Sequence, residues 1–359
     1  MHGLVILMKQ HSYAFYNGYL SSAYNKRAQL LAKLKQLENI SPVQSPSQTE
    51  PPVSAISTDH LSLLPSARQY KERRRSISLS RDPSSRRTKV RSSSAASDDI
   101  DLVATAISSG DPLDSEQVHV FERLLKWEID ALSDELLGKS STPSKAYPEN
   151  LTFYNHYEFI ALPTLVYELE YPRSDSINWT YALEKMTACF GVIFVMIMIS
   201  QAFIYPVVMS TVQMREANLT LAQRFSHFPW MFIDLIFPFM MEYLLVWYLI
   251  WETILNFIAE LTCFADRSFY DAWWNCVSWD QFARDWNRPV HNFLLRHVYH
   301  SSISAMKVNK HTATLITFFL SACVHELVMW CIFKKLRGYL LVLQMCQLPV
   351  SFLFFLFFS

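Results

Sequence analysis

A histidine and a glutamate stand side by side near the C-terminal end of the chain, inside a run of apolar residues. Residues 315–333 read LITFFLSACVHELVMWCIF, with His325 and Glu326 in the second half. An ionisable group at the centre of a membrane helix costs about 2.5–3.5 kcal/mol on insertion scales. Side chains kept at that cost are typical of catalysis or ligand binding. The alternative is that His325 is a hydrogen-bonded packing residue.

A second unusual stretch precedes the first and is too polar to cross a bilayer. Residues 269–300 read FYDAWWNCVSWDQFARDWNRPVHNFLLRHVYH and are crowded with Trp, Asn, Arg and His. Histidine is the side chain best suited to take a proton near neutral pH. Together the two stretches predict a polar reaction centre with a cytosol-facing loop, and hence an enzyme embedded in a membrane.

Four apolar runs must position these residues, and each is close to the ~20 residues that a membrane-spanning helix needs. They cover residues 186–209, 228–258, 315–333 and 338–358. The second run contains Pro229, Pro238, Asp234, Glu242 and Glu252, so we expect it to be tilted, kinked and buried against protein. The predicted fold class is an all-α, polytopic membrane helical bundle.

The regions outside these runs have a different character. Residues 1–20 resemble the end of a further membrane helix, and the chain stops directly after FLFFLFFS, so we expect a bundle that is incomplete at both ends. The basic residues Lys334, Lys335 and Arg337 favour a cytosolic turn. We therefore divide the chain into a membrane-helix end and cytosolic exit (1–27), a cytosolic insert (28–145) and a membrane-embedded catalytic region (146–359).

The insert is mostly polar. Residues 41–114 are rich in Ser, Pro and Thr and are predicted to be disordered, because they cannot bury enough apolar surface to offset the entropy of ordering. Its basic part, residues 68–91, is either a solvated loop or a site for phosphorylation at Ser76, Ser78 or Ser80, or for anionic lipid. Helices are predicted at 24–37 and 115–137, the second from its apolar periodicity.

Overall composition excludes some classes of function. The chain has 32 basic and 32 acidic residues, so no net charge favours nucleic-acid binding. Its six cysteines have no CxxC spacing and mostly lie in or beside apolar runs. We interpret them as reduced structural thiols, with no zinc site.

The polar stretches resemble a known family. Residues 269–275, FYDAWWN, resemble the FYxDWWN signature of sterol O-acyltransferases, which belong to the membrane-bound O-acyltransferase superfamily. The likeness extends through FADRSFY, DWNRPVHNFLLRHVYHSS and NKHTATLITFFLSACVHEL, and back to PTLVYELEYPR, and is greatest to the fungal enzymes. It covers residues 1–27 and about 145–359. One position departs from the signature: its aspartate falls on Ala272, with an aspartate one place earlier at Asp271.

The resemblance implies transfer of an acyl group from acyl-CoA to the 3β-hydroxyl of a sterol. It implies a multi-pass protein of the endoplasmic reticulum membrane, assembled as a dimer or tetramer. Acyl-CoA is then a co-substrate, and no cofactor or metal is expected. His325 would be the general base and Asn287 its partner, donating a hydrogen bond to the developing oxyanion.

The resemblance also implies residues for acyl-CoA and for the signature itself. The acyl-CoA positions are Arg284, Trp286, His291, Tyr299, Lys310 and Ser321, with Arg296 as a further cation. The signature positions are Phe269, Tyr270, Trp273, Trp274 and Asn275. The plainer interpretation of the aromatic and basic side chains is a belt at headgroup depth, and Ser321 could instead bond to its own helix. Glu326 points about 100° away from His325, so it orients the site, pairs elsewhere or takes a direct part in proton transfer.

Two other functions remain open from the sequence. A diacylglycerol O-acyltransferase would use the same base on a different alcohol. A non-catalytic membrane protein, such as a sterol-binding protein or a transporter, would suit the broken, charged second run. The latter class leaves the association of Asn287 with His325 unexplained.

Overall fold

The computed structural model describes residues 2–39 and 115–358, together with positions 100, 103–105, 107, 108 and 113. These residues form helices joined by loops, with one isolated antiparallel bridge between Arg173 and Phe264. The predicted all-α class is therefore confirmed for the described part of the chain. Almost all of the predicted disordered segment 41–114, including Ser76, Ser78 and Ser80, lies outside the described residues.

The chain divides into two compact units. The first contains Met1–His156, Leu165–Glu170 and Asn292–Ser359, and the second contains Tyr157–Thr164 and Tyr171–His291. Helix α3 (Phe153–Ala161) leads from the first unit into the second.

Two antiparallel helices begin the first unit, α1 (His2–Glu38) and α2 (Ser115–Leu137). Lys26 pairs with Glu128 at 3.1 Å, and the Tyr19 hydroxyl donates to Glu135 at 2.9 Å. The buried residues between them include Leu20, Leu30, Leu37, Phe121, Leu125 and Leu132. The predicted helix at 115–137 is confirmed with its apolar stripe inside.

Helix α1 differs from the expectation, because residues 24–37 continue the opening helix instead of forming a separate one. Residues 20–30 contain neither proline nor glycine, so nothing in that stretch ends the helix. The boundary that we placed after residue 27 thus falls within a continuous helix, and as a domain division it stays a prediction.

A buried polar cluster ties α1 to the rest of the first unit. The Tyr167 backbone N–H donates to Ser12 Oγ at 2.8 Å, and Ser12 Oγ lies 2.8 Å from Nε2 of His297. Both side chains are almost fully buried. Burial first, and then the nearby His11 and Arg296, lower the pKa of His297 to about 4. His297 is therefore neutral at pH 7.

Three helical segments among the described residues are long and apolar enough to cross a membrane: Trp179–Glu216, Leu221–Leu261 and Lys310–Phe333. The first span is built from α4 (Trp179–Ile199), a π-helical turn (Ser200–Ile204) and α5 (Tyr205–Glu216). The second is built from α6 (Leu221–Trp247), a π-helical turn (Tyr248–Ile254) and α7 (Leu255–Leu261). The side chains of Asn178, Thr220 and Asn309 cap their N-terminal ends.

The second span is helical through its prolines and is mostly exposed on this chain, and the expected kink, tilt and burial against protein stay predictions. Helix α6 runs through Pro229 and Pro238, and Phe232 and Phe237 on it are more than half exposed. Two of its acidic residues have partners on the first span. Glu242 accepts a hydrogen bond from Ser200, and Glu252 pairs with Lys185, so these two carboxylates turn to the first span. Much of the remaining surface consists of large apolar side chains, and Asp234 is exposed among them.

The loop between the second and third spans carries short helices. These are α8 (Trp279–Asp285), α9 (Arg288–Leu294) and α10 (His300–Met306), with a π-helical turn at Leu295–Tyr299. The third span is helix α11 (Lys310–Phe333), and the fourth predicted run forms helix α12 (Tyr339–Phe358). Whether α12 crosses the membrane stays a prediction. All six cysteines are free, as predicted.

The length of helix α11 bears on the sidedness of the sequence prediction. At 1.5 Å per residue it is about 36 Å long, enough for a single crossing of the hydrocarbon core. A single crossing would put its two ends on opposite sides of the membrane, so the loop before it and the basic turn after it would not both be cytosolic. The side on which each of them lies stays a prediction.

Candidate active site

His325 is held in one tautomer by its own helix. Its Nδ1 lies 2.7 Å from the backbone carbonyl oxygen of Ser321, one turn earlier. A carbonyl oxygen can only accept, so Nδ1 carries a proton, and in the neutral imidazole Nε2 therefore keeps a free lone pair. The imidazole is exposed at the surface of this chain. This is the form of histidine that a general base requires.

Ser321 is held by the neighbouring helix. Its hydroxyl oxygen accepts a hydrogen bond from Nε2 of Gln344 on α12 at 3.0 Å. The structure thus gives the hydroxyl a partner outside its own helix. Sequence reasoning missed Gln344, although a polar amide in the apolar run 339–358 was a usable signal.

Glu326 pairs away from His325. Its carboxylate accepts backbone N–H groups from Arg337 (3.1 Å) and Gly338 (2.6 Å) through Oε1, and from Leu340 (3.2 Å) and Leu341 (3.4 Å) through Oε2. The side chain is buried. These donors belong to the turn and first residues of α12, where a negative charge is favourable. Of the three roles expected for Glu326, these hydrogen bonds support pairing elsewhere.

The side chain of Asn287 caps the N-terminal end of helix α9. Oδ1 accepts the backbone N–H of Val290 at 3.3 Å. That bond fixes the orientation of the amide and leaves Nδ2 as a donor. The residue is half-buried. The amide can therefore present an N–H to a developing negative charge without adding a charge of its own.

The FYDAWWN segment (residues 269–275) is clamped against the residues around Asn287. The backbone N–H of Asp271 donates to the carbonyl of Asp285 at 2.8 Å, and the N–H of Arg288 donates to the carbonyl of Phe269 at 3.1 Å. The Phe269 side chain is buried in a cluster with Leu162, Ala259 and Phe264.

The rest of this segment lies nearer the surface. Trp273 is half-buried and packs edge-on against Trp247 with ring centroids 5.1 Å apart. Trp274 and Asn275 are exposed, which fits the interfacial belt better than a packed core.

Ala272 stands where the resemblance places an aspartate, and it is exposed. The neighbouring Asp271 keeps its carboxylate at the surface, where it accepts the Ala272 N–H at 2.9 Å and lies 3.8 Å from Arg288. The carboxylate that this chain has in the signature segment, that of Asp271, therefore lies next to Arg288, the residue after Asn287.

The acyl-CoA positions in the second unit lie on α8, on α9 and in the bend between them. Arg284 is exposed and pairs with Asp280 at 2.7 Å. Trp286 stacks on Phe282 at 6.1 Å. Burial, followed by the charge of Arg284, lowers the pKa of His291 and favours its neutral form.

The acyl-CoA positions in the first unit lie in different elements and have different surroundings. Tyr299 lies in a π-helical turn, and Lys310 is exposed at the first residue of α11. Arg296 is engaged by the protein, since it pairs with Glu168 at 3.6 Å and lies over the ring of Tyr16. The ligand roles of all these residues stay predictions.

The structure brings the predicted residues together in two groups. His325 and Ser321 lie on one face of α11 in the first unit, and Asn287 with the FYDAWWN segment lies in the second. The pairing of Asn287 with His325 stays a prediction.

Comparison with known proteins identifies the family of this chain. The model of the membrane-bound O-acyltransferase family matches residues 60–359. Sterol O-acyltransferase 2 of Candida albicans is 38% identical over 350 residues, covering 98% of this chain and 50% of that protein. Sterol O-acyltransferase 2 of Saccharomyces cerevisiae is 50% identical over 220 residues, covering 61% of this chain and 34% of that protein.

A more distant relative carries a different name. Diacylglycerol O-acyltransferase 1 of Dictyostelium discoideum is 31% identical over 198 residues, covering 55% of this chain and 31% of that protein. The chain spans between about a third and a half of the length of these curated relatives. The family match covers most of the chain, including both groups of candidate residues. The chain belongs to the membrane-bound O-acyltransferase family.

Proposed function

We propose that the protein transfers an acyl group from acyl-CoA to the 3β-hydroxyl of a sterol, forming a sterol ester and free CoA. The observation that carries the proposal is His325, held on a membrane span with Nδ1 bonded to Ser321 and Nε2 left as an acceptor. The likeness to proteins named sterol O-acyltransferases supports the choice of alcohol.

In the proposed reaction, His325 Nε2 takes the proton of the sterol hydroxyl as that oxygen attacks the thioester carbonyl carbon. The Nδ2 group of Asn287 donates to the oxyanion of the tetrahedral intermediate. The intermediate collapses with cleavage of the C–S bond, and the CoA thiolate recovers the proton from His325. The thioester is already activated, so this path needs no metal and no cofactor beyond acyl-CoA as co-substrate.

We place acyl-CoA against the loop between the second and third spans and assign that loop to the cytosol. Arg284, His291 and Lys310 would serve the phosphates, and Trp286 and Tyr299 would offer aromatic faces. Ser321, one turn before His325, would lie at the thioester end. We further propose the endoplasmic reticulum membrane as the location and a dimer or tetramer as the assembly, both from the family resemblance alone.

The test uses microsomes that express the complete gene. Labelled oleoyl-CoA is supplied with ergosterol, cholesterol or diacylglycerol, and the products are separated by lipid class. We expect label in sterol esters. His325→Ala should lower that signal by about 10²–10⁴-fold at equal protein level, the usual cost of losing a general base.

The remaining outcomes separate the alternatives. Label in triacylglycerol would favour the diacylglycerol acyltransferase that the Dictyostelium relative suggests. No ester in any arm, from an abundant protein that binds sterol, would favour the non-catalytic class.

A further inference from the structure

An ion pair joins the first and second spans. Lys185 Nζ lies 2.5 Å from Oε1 of Glu252, and the lysine is buried. Within a membrane protein such a pair is costly to break, because removing one partner leaves an uncompensated charge. The plainer interpretation of this ion pair is structural: it holds the two helices together.

The second oxygen of Glu252 gives the pair another partner. Oε2 accepts a hydrogen bond from the Tyr270 hydroxyl at 2.8 Å. Burial, and then the adjacent Glu252 carboxylate, raise the pKa of Tyr270 to about 12, so the hydroxyl stays a donor across the physiological range. The ring also packs edge-on against Trp247 at 4.6 Å. Tyr270 is thus fixed at its ring and at its hydroxyl.

Tyr270 lies between the two residues that clamp the segment of Asn287. Phe269 accepts from Arg288 and Asp271 donates to Asp285, so these backbone bonds hold both sides of Asn287. In addition, Trp247 Nε1 donates to the carbonyl of Trp286 at 3.3 Å. A continuous set of contacts therefore runs from Lys185 through Glu252 and Tyr270 to residues 285–288.

We propose that Lys185 and Glu252 are positioning residues, which set the place of the Asn287 amide through Tyr270. Neither touches substrate; the ion pair fixes the FYDAWWN segment, and the segment fixes Asn287. The inference rests on the proposed function for its effect on catalysis, but its structural part stands apart from that function. Lys185 escaped the sequence prediction because the first apolar run was begun one residue later, at Met186.

Tyr270→Phe is the sharpest variant, because it removes one hydroxyl and keeps the ring and the ion pair. We expect kcat for sterol esterification to fall by about 10–100-fold, the range for a misplaced catalytic group. The KM for acyl-CoA should change by less than about threefold, because the variant leaves the contacts that bind acyl-CoA equally in the ground state and the transition state unchanged. The protein level in the membrane should be unchanged.

The charge variants test the ion pair itself. Lys185→Met leaves Glu252 buried without its partner, whereas Lys185→Met combined with Glu252→Gln removes both charges and keeps an acceptor for Tyr270. The double variant should therefore recover most of the activity that Lys185→Met loses. Glu184→Gln is the matched control, because Glu184 is exposed on the same span.

Hydrogen exchange gives a measure that does not depend on activity. In the purified full-length protein, the backbone amides of Asp271 and Arg288 should exchange faster in Tyr270→Phe and in Lys185→Met than in wild type or Glu184→Gln. The amides of both spans should exchange as in wild type.

The two readouts separate failure of the inference from failure of the proposed function. A wild-type protein that forms no sterol ester would contradict the proposed function. Hydrogen exchange at the amides of Asp271 and Arg288 would still test whether Lys185 and Glu252 position the FYDAWWN segment. Wild-type exchange at these amides in Tyr270→Phe would overturn the inference. Normal kcat in Tyr270→Phe from an active enzyme, or faster exchange along both spans, would also overturn it.

Discussion

Asn287 uses the two ends of one amide for two purposes. Its oxygen caps α9 by accepting from Val290, and its nitrogen is the proposed donor to the oxyanion. Because the two atoms differ, a substitution can remove one role and keep the other. Aspartate retains an oxygen for the cap and lacks the N–H.

Asn287→Asp should therefore fold normally and lose turnover. We expect kcat to fall by about 10²–10³-fold, the usual cost of one oxyanion donor, with a smaller change in KM for either substrate. Asn287→Ala should lose the same turnover and also about 1 kcal/mol of stability through the missing cap. Steady-state kinetics and thermal unfolding of both variants measure this. Near-normal kcat in Asn287→Asp would leave Asn287 as a helix cap only.

His297 is the residue whose burial predicts a pH dependence of stability. Its pKa of about 4 in the folded protein lies below the ordinary value of about 6.5 for histidine, so the unfolded state binds the proton more tightly. This contribution to stability is fully present above about pH 6.5 and is lost as the pH falls toward 4, up to about 3 kcal/mol.

His297→Gln should flatten this dependence. The thermal midpoint of the detergent-solubilised wild type should fall between pH 7 and pH 5 by more than that of the variant, since the variant has no imidazole to protonate at this position. Equal slopes in the two proteins would show that the pKa of His297 does not differ between the folded and unfolded states, which would contradict the lowered value.

At the scale of elements, the turn between α11 and α12 depends on one carboxylate. Glu326 accepts four backbone N–H groups, two through each oxygen. An amide in its place turns an N–H₂ group toward donors, so Glu326→Gln should cost about 1–3 kcal/mol locally. Lys334, Lys335 and Arg337 supply trypsin sites within the turn.

Trypsin should consequently cut solubilised Glu326→Gln faster at this turn than wild type or Glu184→Gln. Activity per intact molecule should fall far less than in His325→Ala, because the bond from His325 to Ser321 does not involve Glu326. A loss of about 10²–10⁴-fold with unchanged cleavage would instead assign Glu326 a proton-transfer role.

The elements were more predictable from sequence than their contacts. The apolar periodicity of residues 115–137 and the long apolar runs gave α2 and the spans, because burial and lipid both act on composition. The partners of Glu326 and Tyr270 were not predictable, since each belongs to another helix or turn whose placement depends on packing. The continuity of α1 was missed because a change from apolar to basic composition does not end a helix.

At the scale of the whole molecule, the number of membrane crossings determines which loops share a side of the membrane. If α11 crosses once, as its length allows, the turn after it faces away from the side of Lys310. Val277 in the loop before α11 and Lys335 in the turn after it are both exposed and suit single-cysteine labelling.

In a background without the six native cysteines, a membrane-impermeant maleimide should label Val277→Cys in sealed microsomes. Lys335→Cys should react only after detergent is added. The opposite pattern would contradict the cytosolic loop while keeping the single crossing. Equal labelling of both positions without detergent would contradict the crossing itself.

The turn that Glu326 closes also bears on how the chain is made. When residues 310–333 leave the ribosome, the carboxylate is part of the segment and its four N–H partners, at residues 337–341, have yet to follow. Until they do, a charge in an apolar helix works against entry of that helix into the bilayer. If α12 also enters the bilayer, the two helices should therefore enter as a hairpin, with the second helix completing the insertion of the first.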